Sequence, residues 1–242
     1  MAVRTRHLAF DLPRPLTAAR VNPIETETAM TTKTRVISIL RGAEAHRIRF
    51  TVPATIGTIT INRASFESVA AAILAGKIKV TAVPPSAFRP GVGAEYHTSA
   101  VVGGPSGELR VPPILGRQQE GLVLHECTHA FFDLTKSGVG ASEEEAIAYV
   151  VDALYYRMSG LTPPRWSNEP HKTAKAVADT LLHQYAKGDT PVPPVGVREW
   201  QTLVLAVKLN PTYLFPAPGQ TDTPAGLFGG VLGGPTSYTH DG

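Results

Sequence analysis

The stretch "LVLHECTHAFFD", Leu122–Asp133, carries two histidines four residues apart, with a glutamate directly after the first. It has no proline or glycine. Val123, Leu124, Cys127, Ala130, Phe131 and Leu134 repeat at helical spacing, so they form a broad apolar face that would seat the segment in a core. Residues i and i+4 lie one turn apart on one face of a helix. His125 and His129 can therefore aim imidazole nitrogens at one point, and Glu126, about 100° further round, can lean over the same point. The positions around the pair are uncharged, whereas an exposed helix with incidental histidines would carry Lys and Glu there.

Two imidazoles at this spacing suit zinc, which takes nitrogen ligands in a tetrahedral site and keeps a water where a position is open. The glutamate between them is placed to take a proton from that water. "HECTH" within "LVLHECTHAF" resembles the active-site helix of the zincin metallopeptidases. The resemblance covers roughly residues 95–158. It implies a small, mostly antiparallel sheet, the H-E-x-x-H helix and a further helix behind it: an α+β fold. It also implies zinc-dependent peptide-bond hydrolysis, with a zinc-bound water activated by Glu126.

The zincins divide by their third ligand. The metzincin extension is absent: Phe132 stands where its glycine would be, and Thr135 where its third histidine would be. The gluzincin pattern takes a glutamate from the next helix, and "ASEEEAIAYVVDALYY" offers Glu143, Glu144 and Glu145. An antiparallel helix must climb back toward the metal, which disfavours Glu143. The small residues Ala146 and Ala148 beside Glu145, and the likeness of "EEAIAY" to the gluzincin segment, favour Glu145. Against this, Ser142 and Glu145 have capping-box spacing, which would leave Glu144 as the ligand. The expected site is zinc held by His125, His129 and Glu145, with Glu126 as base and Glu144 the alternative ligand. Asp133, one turn after His129, could orient an imidazole. Cys127, about 200° round from His125, reads as a small core residue. Tyr96, His97, Tyr149, Tyr156 and His183 are candidates for stabilising a developing oxyanion.

Outward from this helix, the chain of 242 residues divides into three expected parts: a polar arm over 1–33, a zincin-like domain over 34–213 and a Gly/Pro-rich tail over 214–242. Strands are expected over Thr34–Leu40, His46–Val52, Thr58–Asn62 and Lys77–Val83. A hairpin is expected from Glu95–Val102 and Gly107–Pro113 around "GGPSG". Gly107–Pro113 is expected to be the free edge on which an extended substrate could pair. Helices follow: Ser65, as cap, to Gly76; Arg117–Leu134; Ser142–Met158; Asn168–Lys187; and one through "REWQTLVLAVKL". Strands first and helices after point to α+β.

The formal charge of +3, with scattered basic residues, gives no reason to expect nucleic acid or a membrane surface. One cysteine excludes an intramolecular disulfide. No apolar N-terminal run or spanning stretch is found, so a cytoplasmic protein, or one exported without a cleavable signal, is expected. The expected partner is a peptide or protein substrate. The contrasting reading is a non-catalytic zinc-containing binding module, which an intact Glu126 disfavours.

Overall fold

The computed structural model describes residues 31–88, 93–98, 107–162, 168–188 and 191–210. The arm as far as residue 30, the "GGPSG" turn up to Ser106 and the tail lie outside these residues. The described part opens with two helices, α1 (Thr32–Leu40) and α2 (Ala43–Arg47). A hairpin follows, β1 (Phe50–Ala54) and β2 (Gly57–Ile61), and then α3 (Arg63–Leu74). The second sheet has β3 (Ile78–Ala82), β4 (Glu95–Thr98) and β5 (Gly107–Val111). Four helices complete it: α4 (Arg117–Thr135), α5 (Ala141–Met158), α6 (Glu169–Lys187) and α7 (Val197–Lys208).

The fold is α+β, with the small sheets followed by a helical half that carries the histidine pair. The second sheet has the order β3-β5-β4, parallel between β3 and β5 and antiparallel between β5 and β4. One of its faces is apolar and closes on α4. Ile78, Tyr96, Leu109 and Val111 from the strands share a core with Val123, Leu124, Cys127 and Ala130 from the helix. The other face carries Lys79, Thr81, Glu95, Glu108 and Arg110, which pair among themselves. This alternation matches the period of two in each strand.

Local chemistry explains the helix ends. Asn168 accepts a hydrogen bond from the His171 N–H at the start of α6, with Pro170 in the first turn, and Gly188 closes the helix at φ 71°. For α3 the cap is Asn62, and Ser65 is its reciprocal partner three residues on, which moves the expected cap by one turn. The cap of α5 is Gly140, so the Ser142–Glu145 capping box does not form, and Glu145 is left to face α4.

Three further expectations change. Thr34–Leu40 is helical, not a strand. Its buried residues Val36, Ile39 and Leu40 follow a helical repeat, and Thr31 caps it by accepting from the Thr34 N–H. His46–Val52 divides into the end of α2 and the start of β1. Gly107–Val111 is the central strand of its sheet, because β3 pairs along its other side; the edge next to α4 is β4. Among the described residues no helix is long and apolar enough to cross a membrane.

Candidate metal centre

The centre lies where α4 packs against α5, beside the β4 edge. His125, Glu126, His129, Glu144 and Glu145 are all buried. His125, His129 and Glu145 each bring one ligand atom to a common point, and these atoms all lie within 4.8 Å of one another. Glu145 Oε1 is 3.5 Å from His125 Nε2, and its Oε2 is 3.2 Å from His129 Nε2. Glu144 approaches from elsewhere: its Oε1 is 2.7 Å from Nδ1 of His129. The two neighbouring glutamates thus address opposite edges of one imidazole. Glu145 faces the common point, and Glu144 fixes the ring behind it. His125 is held in the same way by a hydrogen bond to the backbone of Ala148, and its ring meets Tyr149 edge-on at 5.3 Å.

Asp133 does not orient an imidazole. It accepts a hydrogen bond from the Tyr96 hydroxyl at 2.8 Å and pairs with Lys136. Glu144, presented from α5, takes the role that the sequence suggested for Asp133, with its Oε1 against Nδ1 of His129. Glu126 Oε2 accepts from the backbone N–H of Tyr96 at 2.9 Å, which ties the glutamate to the β4 edge. Nothing in the identity of residue 96 signals this contact, since it comes from the main chain. Glu95 was also missed. It is buried on the outer face of the sheet, bonded to Arg110 at 2.7 Å with His97 at 3.2 Å.

The electrostatics follow from burial. Burial pushes the Glu126 carboxyl up to about 8; Glu145 and Glu95 add to the rise, while His129 and the Tyr96 N–H oppose it. Burial would lower the pKa of His129, but its hydrogen bonds to Glu144 and Glu145, and their negative charge, carry it well above its ordinary value. Three buried carboxylates thus crowd two imidazoles. A divalent cation at the common point would offset that negative charge, and the donor set of two nitrogens and one oxygen is one that zinc prefers. The cluster therefore fits a zinc ion.

The oxyanion candidates separate. The Tyr96 and Tyr156 hydroxyls are engaged by Asp133 and the Gln118 carbonyl, and His183 lies exposed on α6. Tyr149 packs against His125, and His97 is partly exposed beside Glu95. Fold and site together define a zincin-like α+β protein with a gluzincin-type cluster of two histidines and a glutamate. No protein-family model, curated protein or solved structure matches the chain.

Cys127 is fully buried, and burial pushes its thiol well above the ordinary range. Cys127→Ser is expected to leave zinc content unchanged and to cost on the order of 1 kcal/mol, from burying a hydroxyl, in urea unfolding. Loss of zinc from a folded Cys127→Ser protein would place the thiol in the site.

Asp152 is buried against α4, where a Cβ on Gly121 would come within 2.8 Å of its Oδ1, and burial pushes its carboxyl up to about 8. Below about pH 4 the folded and unfolded chains both hold the proton, so the residue has no effect on stability. Between about 4 and 8 only the unfolded chain gives it up, so stability falls as pH rises. Asp152→Asn stays neutral throughout. It is expected to be more stable than wild type by on the order of 1 kcal/mol or more at pH 7.5, the gain vanishing near pH 4. Parallel stability curves for the two proteins would mean that Asp152 is ionised in the fold, against His171 at 3.9 Å.

Proposed function

We propose that this chain is a zinc-dependent peptidase in which His125, His129 and Glu145 hold the ion and Glu126 is the general base. The observation that supports it is the convergence of the three ligand atoms within 4.8 Å, on the helix that also carries Glu126. When bound, zinc would polarise a scissile carbonyl and make water a better nucleophile near neutral pH. The chain's own groups supply the rest. Glu126 takes the proton of the attacking water on Oε1, because Oε2 is held by the Tyr96 N–H, and delivers it to the leaving amine. Glu144 keeps the Nδ1 edge of His129 occupied, so that Nε2 is the nitrogen presented to the ion. The bound cation would also draw the Glu126 pKa down from its raised value, leaving it ionised and ready to accept a proton.

The test is a digest of cellular proteins incubated with the zinc-loaded chain in ¹⁸O-labelled water. New peptide ends that carry one ¹⁸O, and vanish when zinc is removed by a chelator, are the expected result. No new ends across the whole digest, from a protein that holds one zinc, would overturn the peptidase reading in favour of a zinc-containing binding module.

A further inference from the structure

The residue that ties Glu126 to the sheet makes a second, independent contact with the same helix. Tyr96 sits on β4, the strand nearest α4. Its backbone N–H reaches Glu126 Oε2 at 2.9 Å. Its side chain donates its hydroxyl to Asp133 Oδ2 at 2.8 Å. Glu126 and Asp133 are seven residues apart on α4, two turns or roughly 10 Å along the axis. One residue therefore grips the helix at two points on one line, one of them the carboxylate that flanks the metal cluster. The phenol is fully buried. Burial and the Asp133 hydrogen bond both push its pKa up, so it stays a neutral donor.

The grip depends on a gap in β5. Gly107 lies under the Tyr96 ring, and a Cβ there would sit 2.5 Å from Cζ and 2.6 Å from Cε2. Neither the ring nor the strand backbone has room to yield that much in a close-packed core. Gly107 is paired with Thr98 in the β4–β5 register, so the glycine and the tyrosine are fixed relative to each other by the sheet itself.

We propose that Tyr96 is the positioning residue for Glu126: its amide and its phenol clamp the β4 edge to α4, and Gly107 leaves the space in which the clamp closes. The clamp holds Oε2 and leaves Oε1 as the oxygen that accepts a proton. Its bearing on turnover rests on the peptidase reading; its bearing on where Glu126 sits does not. The phenol is thereby a structural donor to Asp133, not a donor to substrate.

Two readouts on the zinc-loaded full chain test this. The first is amide exchange at residue 96, followed by NMR. Tyr96→Phe preserves the ring and the packing but removes the hydroxyl, so the variant is expected to fold. Its residue-96 amide should exchange at least about 10-fold faster than in wild type, with zinc affinity by chelator competition unchanged. Asp133→Asn, with Tyr96 intact, keeps an acceptor for the hydroxyl and should retain near-wild-type protection, whereas Asp133→Ala should behave like Tyr96→Phe. Gly107→Ala should show the largest exposure of the amide. Unchanged protection in Tyr96→Phe would overturn the clamp. So would equal behaviour of Asp133→Asn and Asp133→Ala.

The second readout is turnover of a peptide cleaved by the wild-type chain. Tyr96→Phe should lower kcat by about 10-fold or more with KM within two-fold, because the base is displaced and substrate contacts are not. Faster exchange with an unchanged kcat would show that the clamp does not position Glu126. If the wild-type chain cleaves no peptide, the peptidase reading fails while the exchange measurement still decides the clamp.

Discussion

Glu126→Gln is expected to lower hydrolysis by orders of magnitude while leaving zinc and fold in place. Glutamine has the volume of glutamate, and its amide oxygen can accept the Tyr96 N–H as Glu126 Oε2 does at 2.9 Å. His125, His129 and Glu145 are untouched, so about one zinc per chain should remain. What disappears is the ability to take a proton, since an amide nitrogen has no available lone pair. A positioned general base contributes roughly 10²–10⁴-fold to rate, and a loss in that range is expected in kcat. Removing a carboxylate from a buried, negatively crowded site should also leave the unfolding midpoint equal or higher. The comparison requires equal zinc content by elemental analysis and equal rates of substrate addition. Wild-type turnover in zinc-loaded Glu126→Gln would remove Glu126 from the mechanism.

The helical half was legible because its signals are local. The apolar repeat around His125 and His129 fixed α4 to within a residue of its observed ends, and Asn168, Pro170 and Gly188 marked both ends of α6. The first segment misled because Thr34, Val36, Ile37 and Ile39 are β-branched. In a run of seven residues, strand propensity competes evenly with the helical repeat of Val36, Ile39 and Leu40. The place of β5 at the centre of its sheet could not be read. The parallel pairing of Ile78–Ala82 with Gly107–Val111 joins segments about thirty residues apart, and no turn chemistry announces it.

The site divides along the same line. The spacing of His125 and His129 follows from one helix and was readable. The choice between Glu144 and Glu145 depends on how α5 is rotated against α4, which adjacent residues on one helix do not reveal. In the structure both approach His129, Glu144 at Nδ1 and Glu145 at Nε2. Asp133 was given the wrong partner for a related reason. Its place on α4 was evident, but the tyrosine that reaches it comes from a strand 37 residues away in sequence.

Zinc binding in four variants should separate these roles by magnitude. His129→Ala removes a ligand atom and the donor of the Glu144 contact together, and the largest loss is expected there. Apparent zinc affinities of about 10–16 kcal/mol shared over four ligands give roughly 3 kcal/mol for each, or some 10²–10³-fold. Glu145→Gln should fall in this range, because the amide cannot supply the anionic carboxylate whose Oε1 lies 3.5 Å from His125 Nε2 and whose Oε2 lies 3.2 Å from His129 Nε2. Glu144→Gln should fall well short of it. Its amide oxygen can still accept from Nδ1 of His129, so the ring keeps its orientation and only the charge behind it is lost; a decline of about 10-fold or less is expected. Glu144→Ala, which leaves Nδ1 without that acceptor, should lie between, at roughly 10–100-fold. Chelator competition at one pH on all four proteins gives the order. A steep loss in Glu144→Gln beside near-normal binding in Glu145→Gln would exchange the two glutamates. The metal would then lie on the Nδ1 side of His129, away from the point where the His125 and Glu145 donors converge.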